Sequence, residues 1–397
     1  MLVQQYKDML SGKSVIRQLS EYATKRGNEI GYDNVFDYSL GNPSVPVPQK
    51  FTDTMIHMLQ TESTSALHGY SPSLGIPAVR EKVAASLEKR FGLPYRAEHI
   101  FMASGAAGAL AHAFRLVTQP GDEVLTFAPF FPEYTPYVNL SGAVLKVVPA
   151  NTEDFQINFT AFEDMISEKT MAVLVNTPNN PSGIVYSKET IEKLAEVLRE
   201  KSREFGHVIY LISDEPYREL VFGGIQAPCV SAYYDNTIMC YSFSKSLSLP
   251  GERIGYVAVN PACKDAKDMI QMCGQISRGI GHNCPASMIQ LAVAENLELT
   301  ADISIYETNM NILYKELTSL GFTCVKPGGT FYIFPKALEE DAKAFSQKAL
   351  KYDLILVPAD SFGCPGYFRM AYCIDTEKVE RSLKALRNFV SNEYGEY

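Results

Sequence analysis

Short apolar runs that alternate with helical patterns constrain the fold of this chain more than any other feature. From about residue 99 onwards, β-branched and aromatic runs typical of buried strands recur, with helical patterns such as 106–117 and 187–205 between them. The runs are HIFMA (99–103), EVLTF (123–127), VLKVV (144–148), MAVLVN (171–176), VIYLIS (208–213), TIMCYS (237–242) and IGYVAV (254–259). This rhythm predicts an α/β fold whose mostly parallel, seven-stranded sheet is covered on both faces by helices.

The pattern changes after residue 290. A long helical stretch at 295–319 precedes shorter runs, namely TFYIFP (330–335), a helix near 340–351, LILVP (354–358), YFRMAY (367–372) and a final helix at about 375–391. This part predicts a smaller α+β domain. Residues 1–45 contain no run that could join the large sheet, so we expect them to pack on the smaller domain. The predicted division is a large domain at 46–294 and a small domain formed by 1–45 plus 295–397.

Composition and charge restrict the possible partners. The 397 residues are 46% hydrophobic, and 36 Lys and Arg against 45 Asp and Glu give a net charge of −9. No basic cluster is long enough to follow a phosphate backbone, so we expect a small-molecule substrate, no nucleic acid and no membrane. Neither an apolar stretch of about 18 residues nor a signal-peptide pattern occurs, and the eight cysteines lack zinc-ligand spacing. We therefore expect reduced thiols and a cytoplasmic location.

Two common kinds of enzyme site are excluded by missing motifs. The six histidines form neither HxxxH nor HExxH, so the sequence predicts no metal site. A GxSxG motif after a strand is also missing, which excludes the usual serine hydrolase arrangement.

Three polar clusters directly follow predicted strands, where the ligands of parallel sheets bind. Small residues at 104–108 begin a helix and could accept a phosphate, although close packing of the helix on the sheet explains them equally well. Asp214 needs a cationic partner if it is buried at a strand end, unless it is only a helix cap. Lys245 lies among hydroxyl groups, and a catalytic lysine must have a lowered pKa so that it can act while neutral.

Together these clusters carry a family resemblance. NNPSG (179–183), DEPY (214–217) and SFSKSLSLPGER (242–253) resemble, in order and spacing, the motifs of class I and II pyridoxal-phosphate-dependent aminotransferases, fold type I, of the aspartate aminotransferase superfamily. Further matching segments are SLGNPS (39–44), HGYSPSLGIPAVR (68–80), PGDEVLTFAPFFPEY (120–134), PGGTFYIFP (327–335) and YFRMAY (367–372). The resemblance covers nearly the whole chain.

The resemblance implies roles around a cofactor ring, pyridoxal 5′-phosphate. Lys245 would hold the cofactor covalently and then act as the base that moves the substrate Cα proton. Asp214 would face the pyridine nitrogen and keep it protonated. Tyr217 and Asn180 would hydrogen-bond the ring's 3-oxygen, and Phe131 would stack on the ring face.

The resemblance also implies a phosphate site and a substrate site. The phosphate would contact the backbone amides of Gly105, Ala106 and Ala107. It would also contact the hydroxyls of Ser242 and Ser244 and the guanidinium of Arg253, and the partner subunit would add the hydroxyl of its Tyr70. Ala107 departs from the Ser or Thr of many relatives and loses one side-chain hydrogen bond. Tyr134 occupies the position of a histidine that supports the pyridine aspartate in relatives specific for dicarboxylates.

Arg369 would bind the substrate α-carboxylate through a planar, bidentate fork, and Gly41 would close over the same group. In aspartate-specific relatives an arginine of the other subunit, which precedes the second proline of an Asn-Pro-Pro motif by seven residues, binds the side-chain carboxylate. Arg278 precedes Pro285 of Asn283-Cys284-Pro285 by the same distance. It is therefore the candidate anchor for a side-chain carboxylate, with a surface or structural role as the alternative. An apolar or aromatic donor stays possible.

The function that the resemblance implies is a homodimeric aminotransferase with its active site at the subunit interface. It would move the amino group of an L-amino acid to a 2-oxo acid such as 2-oxoglutarate. A carbon–sulfur β-lyase on the same fold is an alternative that no motif excludes. A cofactor-binding regulator fused to a DNA-binding module is disfavoured, because too few residues precede the cofactor scaffold and the net charge is negative.

Overall fold

The runs predicted as strands between residues 99 and 259 lie in one sheet. The structure is a computed structural model that describes residues 2–11 and 14–395. Its strands are β1 (Phe36–Asp37), β2 (Ile100–Ala103), β3 (Glu123–Phe127), β4 (Val144–Val148), β5 (Thr170–Asn176), β6 (Tyr210–Asp214), β7 (Thr237–Ser242), β8 (Gly255–Val259), β9 (Tyr332–Ile333), β10 (Leu354–Ile355), β11 (Val357–Pro358) and β12 (Phe368–Ala371).

Helices connect and cover these strands. The α-helices are α1 (Gln4–Ser11), α2 (Val15–Ile30), α3 (Gln49–Thr61), α4 (Thr64–His68), α5 (Pro77–Phe91), α6 (Gly105–Val117), α7 (Tyr134–Asn139), α8 (Phe159–Met165), α9 (Lys188–Phe205), α10 (Phe243–Ser246), α11 (Ala266–Ile280), α12 (Ser287–Ala294), α13 (Ser304–Ser319), α14 (Ala342–Ala349) and α15 (Thr376–Tyr394). Short 3-10 helices lie at Tyr32–Asn34, Ala97–His99, Val230–Ala232, Pro250–Glu252, Leu350–Tyr352 and Asp360–Phe362.

The large sheet has seven strands within the described residues, in the order β2-β8-β7-β6-β5-β3-β4. β8 is antiparallel to β2 and β7, and the other neighbours are parallel, which confirms the predicted fold class. The register pairs Asn176 with Asp214 and Asp214 with Cys240. The carboxyl ends of β5, β6 and β7 therefore meet at one edge of the sheet.

Helices pack on both faces of this sheet. α6 buries Ala113 and Phe114 against one face, and α9 buries Leu194 and Leu198 against the other. Successive strand residues point to opposite faces, so a strand covered on both faces is apolar throughout rather than alternating. Each fully buried aliphatic or Phe side chain contributes roughly 1.5–3 kcal/mol, which holds the strand ends in fixed positions.

The residues after 295 form smaller sheets that contact the N-terminal segment. β11, β12 and β9 form an antiparallel sheet, and β1 pairs in parallel with β10 through Phe36 and Leu354. The division into domains at 46 and 295 stays a prediction. Its small domain includes Met1, Gly12, Lys13, Glu396 and Tyr397, which lie outside the described residues.

Two elements differ from the sequence prediction. The helix predicted over 295–319 begins only at Ser304, because the Asp302 carboxylate accepts a hydrogen bond from the Ser304 N–H (3.0 Å) and the Ala301 N–H donates to the Ser246 carbonyl (2.7 Å). The LILVP run divides between β10 and β11, which pair with different strands. No described helix combines the length and the apolar character needed to cross a membrane.

Candidate active site

A cavity of about 550 Å³ lies at the edge where β5, β6 and β7 end. The last residue of each of these strands lines it, namely Asn176, Asp214 and Ser242. Thirteen of the sixteen residues singled out in the sequence line the same cavity. They are Gly41, Ala106, Ala107, Phe131, Tyr134, Asn180, Asp214, Tyr217, Ser242, Ser244, Lys245, Arg253 and Arg369.

Lys245 is the central amine of the cavity. It lies in α10, the short helix that follows β7, and its Nζ donates a hydrogen bond to the Gly41 carbonyl at 2.6 Å. Burial lowers the pKa of Lys245 to about 8, and the nearby Arg369 and Arg253 act in the same direction. A neutral, nucleophilic form of this amine is therefore accessible close to neutral pH.

Asp214 presents an unsatisfied carboxylate oxygen. Tyr134 donates a hydrogen bond to Oδ2 at 2.5 Å, and Asn176 Nδ2 lies 3.4 Å from the same oxygen. The other oxygen, Oδ1, is buried and has no hydrogen-bond partner among the described residues. Burial raises the pKa of Asp214 to about 7, although the bond from Tyr134 acts in the opposite direction. Such a group fits a cationic ligand atom, and the protonated nitrogen of a pyridine ring is one.

Arg369 is a buried cation that faces the same cavity. Its Nη1 donates to Asn180 Oδ1 (3.1 Å) and its Nη2 to the Ser39 carbonyl (2.5 Å), while Nε is buried without a partner among the described residues. Burial lowers the pKa of Arg369. The groups that oppose this shift are the phenols of Tyr332 and Tyr217 and the thiol of Cys373, and no carboxylate of the described residues does so. A guanidinium in this state fits a carboxylate supplied by a ligand.

The start of α6 forms a cradle for an anion. Gly105 has a positive φ of 73°, and a Cβ at this position would lie 2.9 Å from Nη2 of Arg253. The hydroxyls of Ser242 and Ser244 lie 2.6 Å apart in the same part of the site. Free amides at a helix start, an adjacent guanidinium and two hydroxyls together fit a phosphate group.

Three singled-out residues are not among the described residues that line the cavity, namely Gly105, Tyr70 and Arg278. Gly105 contacts the site through Arg253. Tyr70 is fully exposed, and Arg278 lies in the last turn of α11, where its Nη1 donates to Gln275 at 3.2 Å. The predicted roles of Tyr70 and Arg278 require a second subunit.

Sequence reasoning missed some residues that line the cavity. Tyr332 lies in the matching segment PGGTFYIFP (327–335) and Arg17 in the N-terminal segment 1–45, and the sequence gives neither residue a role. Hydrophobic periodicity shows which face of an element is buried but not which side chain borders a cavity between elements. No signal in a single sequence identifies these two residues.

Comparison with known proteins identifies the family. The family model for aminotransferase class I and II matches residues 33–386. The chain belongs to this family. It is therefore an aminotransferase, and the family is dependent on pyridoxal phosphate.

Two relatives and one solved structure show how similar this aminotransferase is to others. The structure of an amino transferase from Eubacterium rectale has 44% identity and a TM-score of 0.96, covering 99% of this chain and 100% of that chain. An aspartate aminotransferase of Thermotoga maritima is 29% identical over 365 residues, covering 91% of this chain and 92% of its own length. Aromatic-amino-acid aminotransferase 2 of Thermococcus litoralis is 28% identical over 400 residues, covering 96% of each.

Proposed function

We propose that this aminotransferase binds pyridoxal 5′-phosphate and moves the amino group of an L-amino acid, with aspartate favoured, to a 2-oxo acid such as 2-oxoglutarate. One observation carries the proposal. A single cavity holds a buried lysine, a carboxylate oxygen without a partner and a guanidinium nitrogen without a partner. The lysine matches the aldehyde of the cofactor, the carboxylate oxygen matches its pyridinium nitrogen, and the guanidinium nitrogen matches the carboxylate of the substrate.

The residues that would hold the cofactor are those already placed around the cavity. Asp214 would bind the pyridine nitrogen, Tyr217 and Asn180 the 3-oxygen, and Phe131 the ring face. The phosphate would be bound by the α6 cradle, that is, by Gly105, Ala106, Ala107, Ser242, Ser244 and Arg253. When bound, the cofactor supplies an aldehyde that accepts the amino group and a ring that withdraws electrons from the substrate Cα.

The chain then orients the substrate and moves one proton. Arg369 binds the α-carboxylate through its fork and fixes the direction of the Cα–H bond, with Gly41 beside the same group. Lys245 would hold the cofactor covalently until the substrate amine displaces it. Its freed Nζ would then remove the Cα proton, because burial lowers the pKa of Lys245 and makes the neutral amine available. In the second half-reaction the same groups act in reverse on the 2-oxo acid.

We further propose a homodimer with the active site at the interface. Tyr70 is fully exposed in the single chain, and its expected contact with the phosphate would be met only by a second copy. A cytoplasmic location is also proposed, and it is supported by eight cysteines that are all free.

The direct test is a half-reaction panel. Each of the twenty amino acids is mixed with the cofactor-loaded protein without an acceptor, and conversion to the pyridoxamine form is followed by absorbance. We expect L-aspartate to react fastest, and added 2-oxoglutarate to restore the starting spectrum while L-glutamate is formed. Release of pyruvate and ammonia from L-cystathionine or L-cysteine without any acceptor would instead indicate β-lyase activity.

The names of the relatives do not decide the donor, since an aspartate and an aromatic aminotransferase are almost equally similar. An acidic side chain needs a cation, and two are available: Arg278 of a second subunit, or Arg17 of α2, which lines the cavity within one subunit. We expect Arg278→Ala to lower kcat/KM for L-aspartate by roughly 10- to 100-fold, the effect of losing one charged hydrogen bond, and to leave neutral donors unchanged.

Arg17→Ala is the matched variant for this prediction. If Arg17 is the anchor, this variant shows the selective loss and Arg278→Ala does not. A uniform loss for acidic and neutral donors in Arg278→Ala would assign a structural role to Arg278.

A further inference from the structure

Tyr332 lies between the parts of the candidate active site, and the proposed function gives it no role. It begins β9, where the register pairs it with Ala371 of β12. Arg369 is two residues before Ala371 and therefore lies on the same face of the sheet as Tyr332. The Arg369 guanidinium carbon lies 4.6 Å from the centre of the Tyr332 ring, so the ring face supports the cation.

The hydroxyl of Tyr332 approaches Tyr217, a residue expected to bind the cofactor. It lies 3.2 Å from the hydroxyl of Tyr217, within hydrogen-bonding distance, and the two rings are packed edge to face with centres 5.8 Å apart. Both residues are buried, so bulk water does not compete for this hydrogen bond. Tyr217 has a single proton to donate. When Tyr332 donates to its oxygen, that proton stays free for another acceptor.

Tyr332 also contacts the segment that holds Lys245. A Cβ at Gly41 would lie 1.8 Å from the Tyr332 hydroxyl oxygen, so only glycine allows this approach. The carbonyl of Gly41 accepts the hydrogen bond from Lys245 Nζ. The titratable and charged groups that act on Tyr332 are Arg369, Cys373 and Tyr217.

We propose that Tyr332 is a positioning residue with two separable actions. Its hydroxyl directs the proton of Tyr217 towards the cofactor's 3-oxygen, and its ring holds the Arg369 guanidinium in the orientation that receives the substrate carboxylate. This inference rests on the proposed function, and it joins the cofactor site to the carboxylate site through one side chain.

Two variants separate these actions. Tyr332→Phe keeps the ring and removes the hydroxyl, whereas Tyr332→Leu removes both. The first readout is the pH midpoint of the visible absorbance of the bound cofactor, which reports the proton on its linkage to Lys245. The second readout is the KM for 2-oxoglutarate, which reports binding at Arg369.

For Tyr332→Phe we expect the pH midpoint to rise by about half a pH unit to one unit, the effect of one lost neutral hydrogen bond. Without the hydrogen bond from Tyr332, Tyr217 is a weaker donor and stabilises the negative charge on the 3-oxygen less. The linkage between the cofactor and Lys245 then loses its proton at a higher pH. The KM for 2-oxoglutarate should stay within about twofold, because the ring remains under Arg369. For Tyr332→Leu we expect the same shift together with a KM raised about fivefold to tenfold.

Tyr372→Phe is the matched control. Tyr372 is buried in the same hydrophobic cluster, and its hydroxyl lies 3.4 Å from the Thr330 carbonyl rather than in the cavity. We expect neither readout to change in this variant. If Tyr332→Leu does not fold, the pH midpoint of Tyr332→Phe decides the action of the hydroxyl, and the KM for 2-oxoglutarate of Tyr332→Met, which also lacks the aromatic ring, decides the action of the ring.

An unchanged pH midpoint in a folded Tyr332→Phe enzyme would overturn the inference and leave the proposed function intact. A shift of the same size in Tyr372→Phe would also overturn it, since the effect would then not be specific to the site. Failure of the unmodified protein to bind pyridoxal 5′-phosphate would overturn the proposed function itself, and the inference with it.

Discussion

Replacing Lys245 with alanine is expected to abolish amino transfer, with turnover lowered by roughly 10⁴-fold or more. The variant loses both the nitrogen that binds the cofactor covalently and the base that moves the Cα proton. Lys245 is the one lysine among the described residues that line the cavity, so no other amine there can replace it. Turnover and the visible absorbance of the bound cofactor should be measured together, because both should be lost.

Lys188→Ala is a suitable control, because this lysine is exposed on α9 and forms an ion pair with Glu192 of the same helix. It should retain full turnover. Borohydride treatment of the unmodified enzyme, followed by peptide mapping, should find the cofactor attached at position 245. Attachment at another lysine, or turnover that survives Lys245→Ala, would remove Lys245 from the proposed role.

Replacing Asp214 with asparagine is expected to weaken cofactor binding and to slow the half-reaction by roughly 10²- to 10³-fold, as when one partner of a buried ion pair is removed. Asparagine keeps the size of the side chain and can still accept the hydrogen bond of Tyr134. It cannot hold a proton on the pyridine nitrogen. The dissociation constant of pyridoxal 5′-phosphate and the single-turnover rate measure the two effects.

The pH dependence of stability provides a second readout for this variant. In the cofactor-free protein, burial raises the pKa of Asp214 from 3.8 to about 7. Between these values the unfolded chain is ionised while the folded chain retains the proton, so this group lowers stability as the pH rises from about 4 to about 7. Asp214→Asn should lack this contribution, whereas the exposed Asp164→Asn should behave like the unmodified protein. A cofactor affinity unchanged in Asp214→Asn would contradict the role of Asp214.

The strand-end residues were the part of the site most accessible from sequence. Asp214 directly follows one β-rich run and Ser242 ends the next, and the carboxyl ends of neighbouring parallel strands meet at one edge. The periodicity that predicts strands therefore also places these two residues near each other. The roles of Lys245, Arg253 and Arg369 came from the family resemblance, since a basic residue in a single sequence is far more often exposed than functional.

Other features could not be predicted, because they depend on contacts between distant segments. The first part of the helix predicted over 295–319, residues 295–303, is a loop because the Ala301 N–H bonds to the carbonyl of Ser246, a residue far away in the sequence. Tyr332 and Arg17 border the cavity only because separate elements meet there. Side-chain periodicity describes the environment of each element and contains no information on which elements face each other.

The sequence by itself determined the large sheet, the order of its strand runs along the chain and two of the polar residues that end its central strands, Asp214 and Ser242. These follow from local backbone geometry and from the alternation of buried segments, which nearby residues control. Only the tertiary structure decided that the Gly41 carbonyl accepts from Lys245 and that Arg369 bonds to Asn180, across separations of 204 and 189 residues. Such contacts depend on how the central sheet and the smaller sheets pack together, and that packing is a property of the whole folded chain.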